Sequence, residues 1–341
     1  MNGEPFTKYC LRQIYPFAHE IIVAEGAVEG AESIATDEGH SIDGTWEVLH
    51  RFKKEEDPDD KLIIVKHSGF WFDKNEQSKA YSQIATGDYL WQIDIDEFYR
   101  HEDIKKVLGL LAETPDISAI SFPTITFWGS PEYRCDSWML IRNNYYEVFR
   151  IFKWGYGYKY KTHIPPTVFD DSGRNLRKLR VLNGNMMRKL DIWMYHYSLL
   201  FPKQVELKGI YYSSRKNRPK VEGWEEWMLN SYFSLKKPFK VHNVFRYPGW
   251  LERFSSQHPE QIEQMWKDIH SGVIDFPTRQ TEDVEGIIDS IWYRTGIRFL
   301  KLLEPIDNLW RKVFWNRIKW HLKYSLGFHR NINKFKQKHK Q

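Results

Sequence analysis

An α/β fold, with a mixed, mostly parallel sheet flanked by helices and a helical C-terminal extension, is what this sequence predicts. Three observations carry the expectation. Apolar, β-branched runs recur at 20–24, 62–65, 89–93 and 117–128, short and continuous in the manner of buried parallel strands. Helical stretches alternate with them, which argues for parallel strands with helices on both faces. The chain of 341 residues is long enough for one sizeable domain and an appendage.

The elements follow in order. Residues 6–16 mix apolar and polar positions at helical spacing and stop at Pro16. Glu20-Ile21-Ile22-Val23-Ala24 is the first strand, and Ser41-Ile42-Asp43-Gly44-Thr45 opens a helix into Trp46–Arg51. Leu62-Ile63-Ile64-Val65 is the second strand, 74–86 a helix, and Gly87-Asp88 a turn. Tyr89-Leu90-Trp91-Gln92-Ile93 is a third strand that runs straight into Asp94-Ile95-Asp96-Glu97; a helix over about 101–112 and a strand region at 117–128 follow. Alternation over 156–161 predicts a hairpin, 203–216 a short helix, and the chain is helical again from about 277. There Val284, Ile287, Ile288, Ile291 and Trp292 make one apolar stripe. The chain begins in a helix where a doubly wound sheet opens with a strand. Either Met1 is not the natural start or the sheet lacks its first strand.

Two cysteines, Cys10 and Cys135, make neither a disulfide framework nor a zinc site and point to a reducing, cytoplasmic setting. No run approaches the roughly 18 apolar residues of a spanning helix. Charge is unevenly spread: eleven Lys or Arg against Glu304 and Asp307 give residues 301–341 +9 of a net +5, leaving 1–300 at −4. Trp, Phe and Leu interleave with the bases over 306–340. That suits peripheral contact with an anionic membrane face, and equally a helix packed on the domain. No nucleic-acid motif accompanies the bases, so no nucleic-acid partner is expected. Aromatics at 16% read as core and interface residues, or as sugar-stacking surfaces.

Asp94 and Asp96 alternate at the carboxyl end of a strand, where ligands of such sheets bind. Two carboxylates on one face share a proton or hold a cation, and oxygen ligands suit Mg2+ or Mn2+ beneath a diphosphate. A pair of surface acids at a strand exit is the plainer reading.

Several ordered motifs resemble glycosyltransferases of the family 2 type, with the GT-A fold. They are Glu20–Glu25, Asp43-Gly44-Thr45, Lys74-Asn75 with Ala80, and Gly87-Asp88-Tyr89 through the DxD Asp94-Ile95-Asp96 to Glu97. Arg150-Ile151-Phe152-Lys153 with His163, and His196-Tyr197-Ser198 with Lys208, extend the resemblance to about residue 212. It implies a nucleotide-sugar donor (UDP- or GDP-sugar), Mn2+ or Mg2+, and a glycan, lipid-linked or other hydroxyl acceptor. It implies Asp96 on the metal, Asp94 on metal or ribose, and His196 as a further metal ligand. It puts Glu25 and Asp43 near base or ribose, and Lys74 and Lys208 on the diphosphate. The residues alone also allow a turn acid at Glu25, a helix cap at Asp43, a core histidine at His196 and solvated lysines. Ile164 stands where some members carry Glu, so His163, Glu132 and Asp136 are the candidates for general base. The expected organisation is a GT-A-like domain over 1–215 without its first strand, a region completing the acceptor side over 216–280, and a basic amphipathic extension over 281–341. Two rivals remain: a non-catalytic carbohydrate-binding scaffold, and a HAD-type phosphatase with Asp94 as nucleophile. The latter class puts its DxD after the first strand, with Thr or Val where this chain has Phe98.

Overall fold

The computed structural model describes residues 1–142, 147–214, 221–242, 244 and 247–309. The basic stretch past residue 309, on which the membrane expectation rests, lies outside them. The chain forms one unit over Met1–Ile288 and a second from Asp289.

In the first unit α1 (Thr7–Ile14) turns its Tyr9, Cys10 and Leu11 inward. β1 (Ile21–Val23) and β2 (Leu62–Ile64) pair in parallel, with α2 (Thr45–Glu55) in the crossover between them. Leu11, Ile21, Leu49, Phe52 and Leu62 close a small core there. α3 (Lys74–Ile84) begins at Asp73, whose side chain accepts the Asn75 and Glu76 amides and so satisfies donors the first turn leaves open. It leads into β3 (Tyr89–Trp91), β4 (Glu97–Phe98) and α4 (His101–Glu113).

β5 (Ala119–Trp128) is the axis of the molecule, with all ten residues buried. β6 (Ser130–Ser137) folds back on it, and after α5 (Trp138–Arg142) comes β7 (Glu147–Lys153). β8 (Lys159–His163) and β9 (Pro166–Phe169) form a hairpin, followed by β10 (Val181–Leu182), α6 (Gly184–Lys189), β11 (Met194–Leu199) and α7 (Pro202–Ser214). α8 (Trp224–Trp227) widens into a π-helical turn over Met228–Phe233, and β12 (Gly249–Arg253), α9 (Glu260–His270) and α10 (Glu282–Ile288) complete the unit. The first half of β5 pairs with β7 and β10, the second half with β6 and β11, and β12 and β4 are added beyond these. Parallel pairings are β1–β2, β5–β10 and β5–β11, and the rest are antiparallel. The mixed sheet with flanking helices is the architecture expected, but it is not mostly parallel: among the described strands six of nine pairings are antiparallel, because β6, β7 and β12 return beside their neighbours.

Two local expectations change. The DxD segment is not straight: Glu97 donates its amide to the Asp94 carbonyl at 2.9 Å, so Asp94–Glu97 is a turn joining β3 to β4. The apolar stripe expected over 284–292 is interrupted at 289–290. Val284 and Ile288 are buried in α10, whereas Ile291 and Trp292 begin a separate helix over 291–309 with exposed Phe299, Leu302 and Leu309.

β1 and β2 stand apart from the larger sheet. β3 is bonded along one edge to β7, and among the described residues no strand covers its other edge or the free edge of β1. A cavity of about 1350 Å3 reaches from the gap between these two edges up to the carboxyl ends of the strands. Apolar Ile22, Val23, Leu90 and Trp91, which elsewhere in such a sheet are fully covered, are only half-buried along it.

Candidate active site

Every wall of the cavity brings charged or ionisable groups. β3 and its turn bring Asp94, Asp96 and Glu97; β7 brings Arg150, β8 His163, β11 His196; α3 opens with Lys74 and α7 carries Lys208. Residues far apart in sequence meet because β7 lies against β3 and β11 against β4.

The two aspartates have different partners. Arg150 lies opposite Gln92, whose amide donates to the Arg150 carbonyl at 2.8 Å. Its guanidinium donates through Nε to Glu97 Oε2 at 2.7 Å, and through Nη2 both to Glu97 Oε1 and, at 3.0 Å, to Asp94 Oδ2. Glu97 Oε2 also accepts the Asp94 amide at 3.2 Å. Burial pushes the Asp94 carboxyl up, but Arg150, His163 and Lys74 outweigh it and hold it well below the usual carboxylate range. Burial likewise pushes Glu97 up, and Arg150 offsets only part of that. Arg150 itself is held firmly charged: burial opposes its charge, and Glu97 and Asp94 more than compensate.

Asp96 is held by a lysine. Lys208 Nζ donates to Asp96 Oδ2 at 2.8 Å, and to the carbonyl and hydroxyl of Ser198 at 2.8 and 2.7 Å. Gln204 Nε2 adds a donor to Oδ2 at 3.2 Å. Oδ1 faces His196 Nε2 at 3.7 Å. Burial works against the Asp96 charge, yet Lys208 and His196 bring its carboxyl well below the ordinary value.

Lys74 lines the cavity with its ammonium 5.6 Å from the Tyr211 ring centre and, among the described residues, no carboxylate within ion-pair distance. Burial disfavours its charge, but Asp94, the tyrosines 211 and 212 and Asp96 raise its pKa. His163 is buried, its Nδ1 3.0 Å from Ser78 Oγ and its amide donating to Asn75 Oδ1 at 2.8 Å.

Not every residue expected at the site faces it freely. The Glu25 carboxylate accepts the Ser41 amide at 2.9 Å, the Ser41 hydroxyl at 2.5 Å and stands 2.8 Å from His40 Nδ1, so its acceptor capacity is largely used. Asp43 accepts the Thr45 amide at 3.1 Å and the Glu4 amide at 2.9 Å, tying the start of α2 to the chain ahead of α1. Glu132 and Asp136 sit on β6, between β5 and β12, and neither lines the cavity. His163 is the one of the three that the fold brings to the cavity.

Sequence reasoning gave no role to Arg150, Glu97, Gln204 or Ser198, although Arg150 and Ser198 lie in the motifs quoted above. It also passed over Glu4, a lining carboxyl pushed up to about 7, chiefly by burial and with Asp43 adding to the rise. Buried polar runs such as Glu97 beside Asp94 and Asp96 were the available signal, since buried acids demand counter-ions.

A family model described as glycosyl transferase family 2 matches residues 28–170. The matched stretch holds Lys74, Asp94, Asp96, Glu97, Arg150 and His163, and stops short of His196 and Lys208. No curated protein matches the chain.

Proposed function

We propose that the chain, whose residues 28–170 match the model of glycosyl transferase family 2, moves a sugar from a UDP- or GDP-sugar to a glycan or lipid-linked hydroxyl, assisted by Mn2+ or Mg2+. One observation carries the reading: Asp94, Asp96, His196, Lys208 and an ion-pair-free Lys74 converge on one cavity at the carboxyl ends of the strands.

A divalent cation suits the donor set in part. Asp96 Oδ1 and His196 Nε2, 3.7 Å apart, are an oxygen and an imidazole of the kind Mn2+ accepts. Among the described residues no three or more His, Cys, Asp or Glu are grouped to hold a metal. The protein therefore offers few ligands, and the donor's diphosphate would complete the set, as is common for Mg2+-type sites. Bound there, the cation would neutralise charge growing on the departing nucleoside diphosphate.

The chain's own residues do the rest. Lys74 binds the diphosphate as an unpaired ammonium. Lys208 would reach it once Asp96, which with His196 would hold the cation, no longer occupies its ammonium. The acceptor hydroxyl oxygen forms the new bond to the anomeric carbon as the bond from that carbon to the diphosphate oxygen breaks. His163, buried beside Ser78, is the base proposed to take the hydroxyl proton. Asp94 accepts a hydrogen bond from the donor. The basic tail is proposed to keep the enzyme against an anionic lipid surface on the cytoplasmic side; no helix among the described residues is long and apolar enough to span a membrane.

The decisive experiment measures nucleoside diphosphate released from a panel of UDP- and GDP-sugars in Mn2+, with wild type and Asp96→Asn. The variant is expected to lose at least ~100-fold in kcat/KM, in line with removal of a group acting on transition-state charge. Turnover that survives both this change and a chelator would overturn the reading.

A further inference from the structure

Among the described residues two arginines line the cavity, and they are held in opposite ways. Arg150 uses its guanidinium on Glu97 and Asp94. Arg177 meets no carboxylate within ion-pair distance among the described residues. Its Nη1 donates to Thr167 Oγ1 at a long 3.4 Å, and its buried Nε has no partner there. A guanidinium carries five N–H donors, so most of its capacity is open. The backbone nevertheless fixes where this side chain starts. Arg177 lies in a short turn of helix over Leu176–Lys178, opened by Asn175, whose Oδ1 accepts the Arg177 amide at 3.0 Å. Leu176 is buried, and its carbonyl accepts the Ser118 hydroxyl at 2.8 Å, which fastens the turn just ahead of β5. The guanidinium carbon then stands 4.7 Å from the centre of the Phe149 ring on β7. Glu147, two residues before Phe149, also lines the cavity, but its Oε2 accepts the Ser121 hydroxyl at 2.8 Å and the Gly184 amide at 2.5 Å. The turn between β8 and β9 adds apolar Ile164 and Pro165 and no charge.

We propose that Arg177 is the anion-binding group of an acceptor subsite, so that the hydroxyl acceptor carries a phosphate or a carboxylate. The inference rests on the transferase reading of the preceding subsection and adds a substrate class to it. Both anions match the planar fork of a guanidinium, and the Phe149 face behind it holds the plane of that fork. Position separates this cation from those of the donor side: Lys74 and Lys208 stand on α3 and α7, whereas Arg177 reaches Thr167 on β9. Thr167 follows Pro166, which pairs with His163 across the hairpin, so Arg177 flanks the base proposed above. An anion seated on Arg177 takes no part in bond making. It anchors the acceptor while a neighbouring hydroxyl of the same molecule turns toward His163.

Isothermal titration calorimetry of the full chain, first saturated with UDP and Mn2+, tests this without any turnover. UDP occupies the donor side, so Lys74 and Lys208 do not answer for a second anion. The probes are glucose, glucose 6-phosphate and glucuronate. Wild type should bind at least one of the two anionic sugars ~10-fold or more tighter than glucose, as charge-assisted hydrogen bonds allow. Whichever anionic sugar binds tells a phosphate-bearing acceptor from a carboxylate-bearing one. Arg177→Gln should bring that preference to within ~3-fold of none, and Arg177→Lys, a point charge without the fork, should keep only part of it. Circular dichroism checks that the variants fold. Should Arg177→Gln fail to, Arg177→Lys carries the test, with an expected loss of ~3-fold or more for the anionic sugar and none for glucose. A wild-type chain that binds UDP but favours neither anionic sugar, or a preference that survives loss of the guanidinium, overturns this inference alone. A chain that binds no UDP in Mn2+ overturns the donor reading and this inference with it.

Discussion

Replacing Arg150 with Met is the sharpest test of how the site is held together. The change leaves Glu97, 1% exposed in its side chain, without its two guanidinium bonds and removes the counter-ion of Asp94. Breaking a buried ion pair by deleting one partner costs about 3–5 kcal/mol, because the surviving charge is uncompensated. Unfolding entropy of about 2.1 cal/mol/K per residue over the ~290 residues of the first unit gives about 0.6 kcal/mol/K, so Tm should fall by roughly 5–8 °C. The deficit depends on pH with a definite sign. Glu97, whose carboxyl burial already raises, rises further without Arg150; a raised carboxyl destabilises above its unfolded value and stops doing so below it. Asp94, depressed in the wild type, contributes stability above its unfolded value that wild type also loses in acid. The Glu97 effect shrinks the gap between variant and wild type as pH falls from 7 toward about 4, and the Asp94 effect closes it further only below about 4. Differential scanning calorimetry at several pH values reads this directly. Adding Glu97→Gln to Arg150→Met should restore most of the loss at pH 7. A deficit under ~1 kcal/mol, or one that widens in acid, or a second substitution that only adds damage, would refute the argument.

Further outcomes follow from the same structure. Gly39 sits at φ +85°, and an added Cβ would lie 2.4 Å from the Gly69 carbonyl oxygen, so Gly39→Ala should cost at least ~2 kcal/mol in a thermal melt. Asp57 is brought down to about 2: burial raises it, but the Lys53 ammonium, the Leu62 amide, the Tyr15 hydroxyl and the Lys61 amide outweigh that. The deficit of Asp57→Asn in urea titrations should therefore be constant above pH ~4 and close as pH falls toward 2. On β3, bonds from Gln92 N to Arg150 O and from Trp154 N to Asp88 O set even-numbered residues against β7. The Trp91 amide then faces the cavity and should exchange hydrogen at least ~10-fold faster than that of Leu90, and equal protection would show the edge to be covered.

How far the sequence could be read depended on the range of the interaction. β1, β2 and β3 are apolar runs of neighbours, and α3 is a helical stretch stopped by the Gly87-Asp88 turn, so local pattern found them. The turn at Asp94–Glu97 escaped because apolar Ile93 and Ile95 keep up the alternation of a strand while the Glu97 amide closes the turn. β6 and β12 were missed for a different reason: Glu132, Arg134, Asp136, Glu252 and Arg253 carry too much charge to look like sheet. Their pairing brings Arg134 Nη2 to Glu252 Oε2 at 2.8 Å, a cross-strand relation with no signature in either segment alone. Glu132 and Asp136 drew attention as acids in the right part of the chain. The antiparallel order β5–β6–β12 is what sends them elsewhere, and order of that kind is set by burial over long sequence separations.

Charge balance across the cavity argues for what enters it. Beside the DxD turn, Asp94, Glu97 and Arg150 together carry one negative charge, Asp96 and Lys208 cancel, and Lys74 contributes one positive charge, so these six of the lining side chains sum to zero. A nucleotide-sugar diphosphate brings two negative charges and a divalent cation two positive ones. Either alone would change the charge beside these six side chains by two, at a cost that their partial burial amplifies. On the proposed function, entering together they would leave the sum unchanged, with Lys208 freed from Asp96 to reach the diphosphate. Cation and donor should therefore bind cooperatively, each tightening the other by the same factor. Calorimetric titrations of Mn2+ with and without UDP, and of UDP with and without Mn2+, measure that factor from both sides. Independent binding of the two would mean that the charges of this cavity are balanced in some other way.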